Sequence, residues 1–141
     1  MDRRKSGTTA ELAVAAKLSS LGHEISWPLA ASSFDLIATK GKVSRRVQVK
    51  SAIKSKRSTY RVWLRYGAKG EHRYTAEECN SIIVYLPYHE DYTEIKEAGF
   101  YVIPITVASK YGSCIMYPPG HGKHPHWVSR WEKYRDGWRY L

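Results

Sequence analysis

The run Phe34-Asp35-Leu36-Ile37-Ala38-Thr39-Lys40-Gly41-Lys42-Val43-Ser44-Arg45-Arg46-Val47-Gln48-Val49-Lys50 carries two β-forming segments around a Lys-Gly-Lys turn. The expectation is a hairpin joining Phe34–Thr39 to Arg45–Ser51. Along the second strand the period of two sets Gln48 and Lys50 on one face and Val47 and Val49 on the other. Asp35 lies inside an apolar run, where an ionised carboxylate is costly unless it is paired, hydrogen-bonded or bound to a metal. Brought together by the hairpin, an aspartate, an amide and an amine suit a divalent metal and a phosphate. Asp35 would ligate and Gln48 could offer a neutral carbonyl oxygen. Lys50 would hold or help deprotonate a water, or neutralise charge on phosphorus. The alternatives are a turn aspartate after Ser32-Ser33 and an exposed polar stripe on an edge strand.

Upstream, Thr9–Leu21 reads as a helix, with Thr8 as N-cap and Gly22 where a C′ glycine belongs. Glu11 shares a helical stripe with Val14, Ala15, Leu18 and Leu21, which puts a carboxylate on the inward face as a second metal ligand or base. The same residue completes a Thr8-x-x-Glu11 capping box, so both roles stand open.

Downstream, strand character marks His23–Trp27, Tyr60–Tyr66, Ser81–Leu86, Phe100–Ile105 and Ser113–Tyr117. Thr75–Asn80 and Asp91–Ala98 read as short helices and Val128–Tyr140 as a terminal one. The expected fold class is α+β, a sheet with a leading helix and a C-terminal helix. In Tyr60–Tyr66, Arg61, Trp63 and Arg65 share a face that either lies along phosphates, with Trp63 as a stacking surface, or packs Trp63 under arginine stems. Trp127, Trp131, Tyr134 and Trp138 fall near helical spacing, as a core or oligomer seam does. His121, His124 and His126, with Cys114 nearby, form either a small zinc site or a Pro/Gly-rich loop.

At 141 residues one domain, 1–141, is expected, and 43% hydrophobic content is enough for a core. Two cysteines supply no disulfide framework, no run reaches spanning length, and a cytoplasmic protein is the default. The charge is lopsided. Residues 1–74 hold 16 Lys+Arg and 5 Asp+Glu, whereas residues 75–141 hold 7 and 8. Basic residues so concentrated point to a polyanion, with Lys54, Lys56, Arg57, Arg61 and Arg65 tracking phosphates or reading bases from a strand ribbon. A solvated basic face is the plainer alternative.

With these residues in place the chain resembles the PD-(D/E)xK nuclease superfamily. The resemblance rests on Glu11 in a helix opened by Arg3-Arg4-Lys5-Ser6-Gly7, on Phe34-Asp35-Leu36-Ile37-Ala38 and on Val47-Gln48-Val49-Lys50-Ser51-Ala52. Within it the chain is most similar to group I intron-encoded homing endonucleases and next to archaeal-type Holliday junction resolvases. Gln48 stands where the superfamily usually has an acid, as in the intron-associated branch, and Phe34 stands where its name has a proline. The resemblance implies a restriction-endonuclease-like core with a mixed central sheet. It implies Mg²⁺-dependent phosphodiester hydrolysis, with Glu11, Asp35 and the Val49 carbonyl around the metal and Gln48 and Lys50 completing the catalytic set. The implied substrate is double-stranded DNA. Because one centre cuts one strand, a homo-oligomer, dimer or tetramer, is expected, with the less charged C-terminal half as its surface. The rival from another class is a non-catalytic basic nucleic-acid-binding protein.

Overall fold

The computed structural model describes residues 3–54, 60–87, 89–91, 94–96, 99–116 and 130–141. Helix α1 spans Arg3–Ser20. It ends in a Schellman turn: His23 N–H donates to Leu18 O at 3.1 Å and Gly22 N–H to Ser19 O at 3.0 Å, with Gly22 at φ 90°. Strands β1 (Glu24–Ser26), β2 (Leu36–Lys40) and β3 (Val43–Ser51) follow. The β2–β3 pair is the expected hairpin, in register Leu36↔Val47 to Lys40↔Val43, with Gly41 at φ 61° in its two-residue turn. Lys40 Nζ reaches back 3.1 Å to the Leu21 carbonyl, which sets a cation at the negative end of α1.

After β3 the chain leaves the sheet for β4 (Ile53–Lys54), β5 (Tyr60–Trp63), β6 (Arg65–Tyr66) and β7 (His72–Arg73). It returns as β8 (Ser81–Leu86), which lies parallel to β3 in register Val47↔Ser81 to Ser51↔Tyr85. A short antiparallel pair, β9 (His89–Asp91) with β10 (Glu94–Lys96), precedes β11 (Gly99–Pro104), helix α2 (Ile105–Ala108) and β12 (Ser113–Met116). The main sheet is mixed, in order β1-β2-β3-β8-β11, and a smaller sheet runs β12-β5-β4.

Alternation along β3 and β8 divides the interior in two. Val47, Val49, Ile83 and Val102 meet Ala10, Val14, Ala15 and Leu18 of α1. On the other face Ile82, Val84, Tyr101 and Ile103 meet Tyr60, Val62 and Cys114 of the smaller sheet. Among the described residues no helix is long and apolar enough to cross a membrane.

Four expectations are corrected. The first helix begins at Arg3, so Thr8 lies inside it, where its amide belongs to the helical ladder and needs no capping glutamate. Thr75–Asn80 is a turn: Glu78 Oε1 accepts the Thr75 N–H at 3.1 Å, but the Arg46 guanidinium takes the carbonyls of Ala76 and Glu77, which diverts them from a further helical turn. Within Asp91–Ala98 the described residues, Asp91 and Glu94–Lys96, are strand, and the β-branched Ile95 favours that state. The described part of Val128–Tyr140 forms two 3₁₀ turns, Glu132–Tyr134 and Trp138–Tyr140. They are parted by Asp136 at φ 46° and by Gly137, where a Cβ would stand 2.9 Å from the Tyr134 carbonyl oxygen. Trp131 and Tyr134 are core residues, whereas Trp127, His121, His124 and His126 lie outside the described residues.

Leu18 is fully buried between α1 and the sheet. Leu18→Ala is expected to cost about 2–5 kcal/mol, read by urea unfolding as a lower midpoint with little change in slope.

Candidate active site

Asp35 immediately precedes β2, and its N–H donates at 2.9 Å to the carbonyl of Val47, the residue that Leu36 already faces in the hairpin. The carboxylate therefore faces β3. Its Oδ2 accepts the Gln48 Nε2 donor at 2.6 Å and the Val49 N–H at 2.7 Å. Gln48 Nε2 also lies 3.3 Å from the Val49 carbonyl oxygen. A carboxylate only accepts, so the amide nitrogen of Gln48 is the atom that faces it. Gln48 is 9% exposed and serves as a buried clamp on Asp35, not the polar stripe on an edge strand; β3 lies between β2 and β8. Among the described residues Asp35 Oδ1 has no hydrogen-bond partner, which leaves that oxygen for a ligand.

Lys50 projects from the same face as Gln48, with Nζ 4.9 Å from the centroid of the Tyr74 ring. Burial lowers its pKa, and the charge of Asp35 opposes that shift. Burial raises the Asp35 pKa against the Val49 hydrogen bond and the Lys50 charge. Glu11, half-buried on α1, is also raised, by burial first and then by the negative charge of Asp35. The helix thus brings its carboxylate into the field of the hairpin's carboxylate, and the two resist ionising together.

These groups fit a hard divalent cation. Two mutually repelling carboxylates and the Val49 carbonyl are oxygen donors of the kind Mg²⁺ takes, and water and phosphate oxygens commonly complete its shell. Among the described residues no three His, Cys, Asp or Glu side chains cluster as a closed cage. Cys114 is buried and its thiol pushed up to about 12, which disfavours the thiolate a zinc site needs.

Of the candidate DNA contacts, Arg61 is exposed on the outer face of the smaller sheet, its guanidinium 5.8 Å from the Trp63 ring centroid. The expected Tyr60–Tyr66 strand breaks at Leu64, whose N–H bonds Gly112 O at 3.0 Å, so Arg65 belongs to the separate β6–β7 hairpin. Lys54 pairs with Tyr60 through its backbone, and Lys56 and Arg57 lie outside the described residues. Two neighbours of the site were not anticipated. Tyr74 floors Lys50, and the buried Cys79, its thiol pushed up to about 11 chiefly by burial, feels both Asp35 and Lys50. No local period links them to β3; only the return of the chain through β7 and β8 brings them there.

The raised carboxyl values carry a stability consequence with a definite sign. A carboxyl whose folded pKa lies above its unfolded value stabilises the fold below the unfolded value, and that stabilisation is lost as pH rises through the folded one. In EDTA, Asp35→Asn is therefore expected to melt near wild type at pH 4 and above it at pH 8. A melting difference independent of pH would show that Asp35 ionises freely.

Comparisons with known proteins bear on the family and the fold. The family profile described as PD-(D/E)XK endonuclease matches residues 1–136. No curated protein sequence matches the chain. Among solved structures the chain is similar to one titled "The structure of a bacterial homing endonuclease: I-Ssp6803I", with a TM-score of 0.74 at 23% identity, covering 98% of this chain and 89% of that one. The likeness shows a shared fold, and the profile, matching residues 1–136 of 141, shows that the chain belongs to the PD-(D/E)XK endonuclease family.

Proposed function

We propose that the chain, acting as one nuclease domain over residues 1–141, is a Mg²⁺-dependent, site-specific DNA endonuclease of the homing type, working in the cytoplasm as a homo-oligomer. The observation that carries this reading is the joint grip of Gln48 Nε2 and the Val49 N–H on Asp35 Oδ2, with Lys50 beside it. Glu11, Asp35 and the Val49 carbonyl would hold the cation. When bound, it supplies Lewis-acid polarisation of a phosphoryl oxygen and a more acidic water.

The chain's own groups do the rest. Gln48 fixes the rotamer of Asp35 without adding negative charge, so the donors are placed before substrate arrives. Lys50, half-buried and short of water, presents its ammonium to charge developing on the phosphodiester, where a dry site strengthens the attraction. Its lowered pKa also eases proton transfer with the attacking water. Basic residues beyond the centre, Lys54, Lys56, Arg57, Arg61 and Arg65, would hold the duplex. One such centre cuts one strand, and a double-strand break requires a second copy related by symmetry. The similarity in fold to a bacterial homing endonuclease supports the site-specific reading over structure-selective cutting.

Cleavage of pooled linear DNA, with sequencing of the ends, tests the proposal. Wild type with Mg²⁺ should cut linear duplex at a restricted set of sequences, and cutting confined to four-way junctions would replace the homing assignment by a resolvase one. Asp35→Asn and Lys50→Ala should each lower the cleavage rate by about 10²–10³-fold or more while duplex binding in EDTA persists.

Gln48→Glu separates the clamp from the chemistry. It exchanges the donor 2.6 Å from Asp35 for a third carboxylate. Substantial cleavage should survive at saturating Mg²⁺, while the metal-free protein melts lower than wild type at pH 8. Equal cleavage by all three variants and wild type would remove these residues from catalysis.

A further inference from the structure

The β6–β7 hairpin has two unlike faces. Its register, Arg65↔Arg73 and Tyr66↔His72, alternates a cationic pair with an aromatic one. The aromatic side leads to the nuclease centre, with ring centroids of Tyr66 and His72 5.1 Å apart, Tyr66 and Tyr74 4.8 Å apart, and Lys50 over Tyr74. The other side borders an open groove of about 680 Å³ lined by Ile53, Trp63, Arg65, Lys69, Gly112 and the turn glycines.

Arg65 lies flat against Gly112, where a Cβ would stand 3.3 Å from Nε and 3.4 Å from Cζ. Its Nε is buried without a hydrogen-bond partner, and among the described residues no carboxylate pairs with its guanidinium. The nearest acid of the turn, Glu71, is spent on the backbone. Its Oε2 accepts the Lys69 N–H at 2.8 Å, and its carboxylate fills the space beside Gly67. No carboxylate lines the groove, while Lys69 is exposed at its rim. The apolar floor is as open, with Ile53 58% and Trp63 57% exposed.

We infer that this groove is a binding subsite for a sugar–phosphate unit of substrate DNA, Arg65 and Lys69 taking the phosphate and Ile53 and Trp63 packing under the deoxyribose. The assignment rests on the DNA-nuclease reading and adds a contact on the far side of the hairpin from the scissile bond. Charge selects the occupant: two cations that, among the described residues, form no ion pair over an apolar floor complement a backbone that alternates anion and ring. Such a contact positions the duplex and reads no bases.

The test is the salt dependence of binding by the full chain to labelled random-sequence duplex in EDTA. Each of Arg65→Gln and Lys69→Gln should weaken binding and flatten the slope of log affinity against log salt by about 1, and the double variant by about 2. Trp63→Ala should weaken binding with the slope unchanged. A wild-type slope in the double variant overturns the subsite and leaves the nuclease reading standing, whereas no duplex binding by wild type overturns both. Lys69→Gln, on an exposed turn, decides the matter if Arg65→Gln fails to fold. Sedimentation of Trp63→Ala supplies the remaining arm: a changed oligomeric state with unaltered DNA binding would make the groove an interface between copies and overturn the proposal.

Discussion

A hydrogen bond between two stretches of backbone, Asp35 N–H to Val47 O, determines where every group of the centre stands. It ties Asp35 to Val47, the residue that Leu36 also faces, and one residue of slip along β2–β3 would turn Gln48 and Lys50 toward α1 and Val47 and Val49 toward the smaller sheet. Gly41 pins the turn from one end and the buried Leu36↔Val47 pair pins it from the other. The register is thus held by the same apolar face that binds α1, and α1 in turn brings Glu11. Packing and donor placement are one constraint.

Why an amide should stand where a third carboxylate would serve follows from the charges. Asp35 and Glu11 already resist joint ionisation, each raised by burial and Glu11 further by its neighbour. A third anion in that space would deepen the repulsion whenever the cation is absent. Gln48 satisfies Asp35 by hydrogen bonding at no electrostatic cost. In the proposed site the arrangement would trade some pull on a cation for a steadier fold without it.

The centre was readable in the chain because its parts obey short periods. Asp35, Gln48 and Lys50 follow from a two-residue repeat across one tight turn, and Glu11 from a helical stripe beside Val14 and Leu18. Misreadings arose where a local pattern sat in a different frame. Thr8-x-x-Glu11 has the form of a capping box but lies within a helix already begun at Arg3. The aromatic spacing near the C-terminus imitates a helix, yet the described part folds back on β11, with Asp136 N–H bonded to Phe100 O at 2.9 Å and Trp131 sunk in the core. Tyr74 and Cys79 owe their places to the path between β3 and β8, and a tertiary path leaves no periodic trace.

The parallel pairing of β3 with β8 governs when this chemistry can exist during folding. A hairpin of contiguous residues closes in microseconds, whereas a parallel partner thirty-odd positions downstream arrives only after a large loop has been ordered. Until β8 docks, Asp35 and Lys50 stay hydrated and their proton affinities ordinary. An emerging polypeptide that has displayed the whole hairpin therefore carries the residues of the proposed centre before the strand beside which they are buried has arrived.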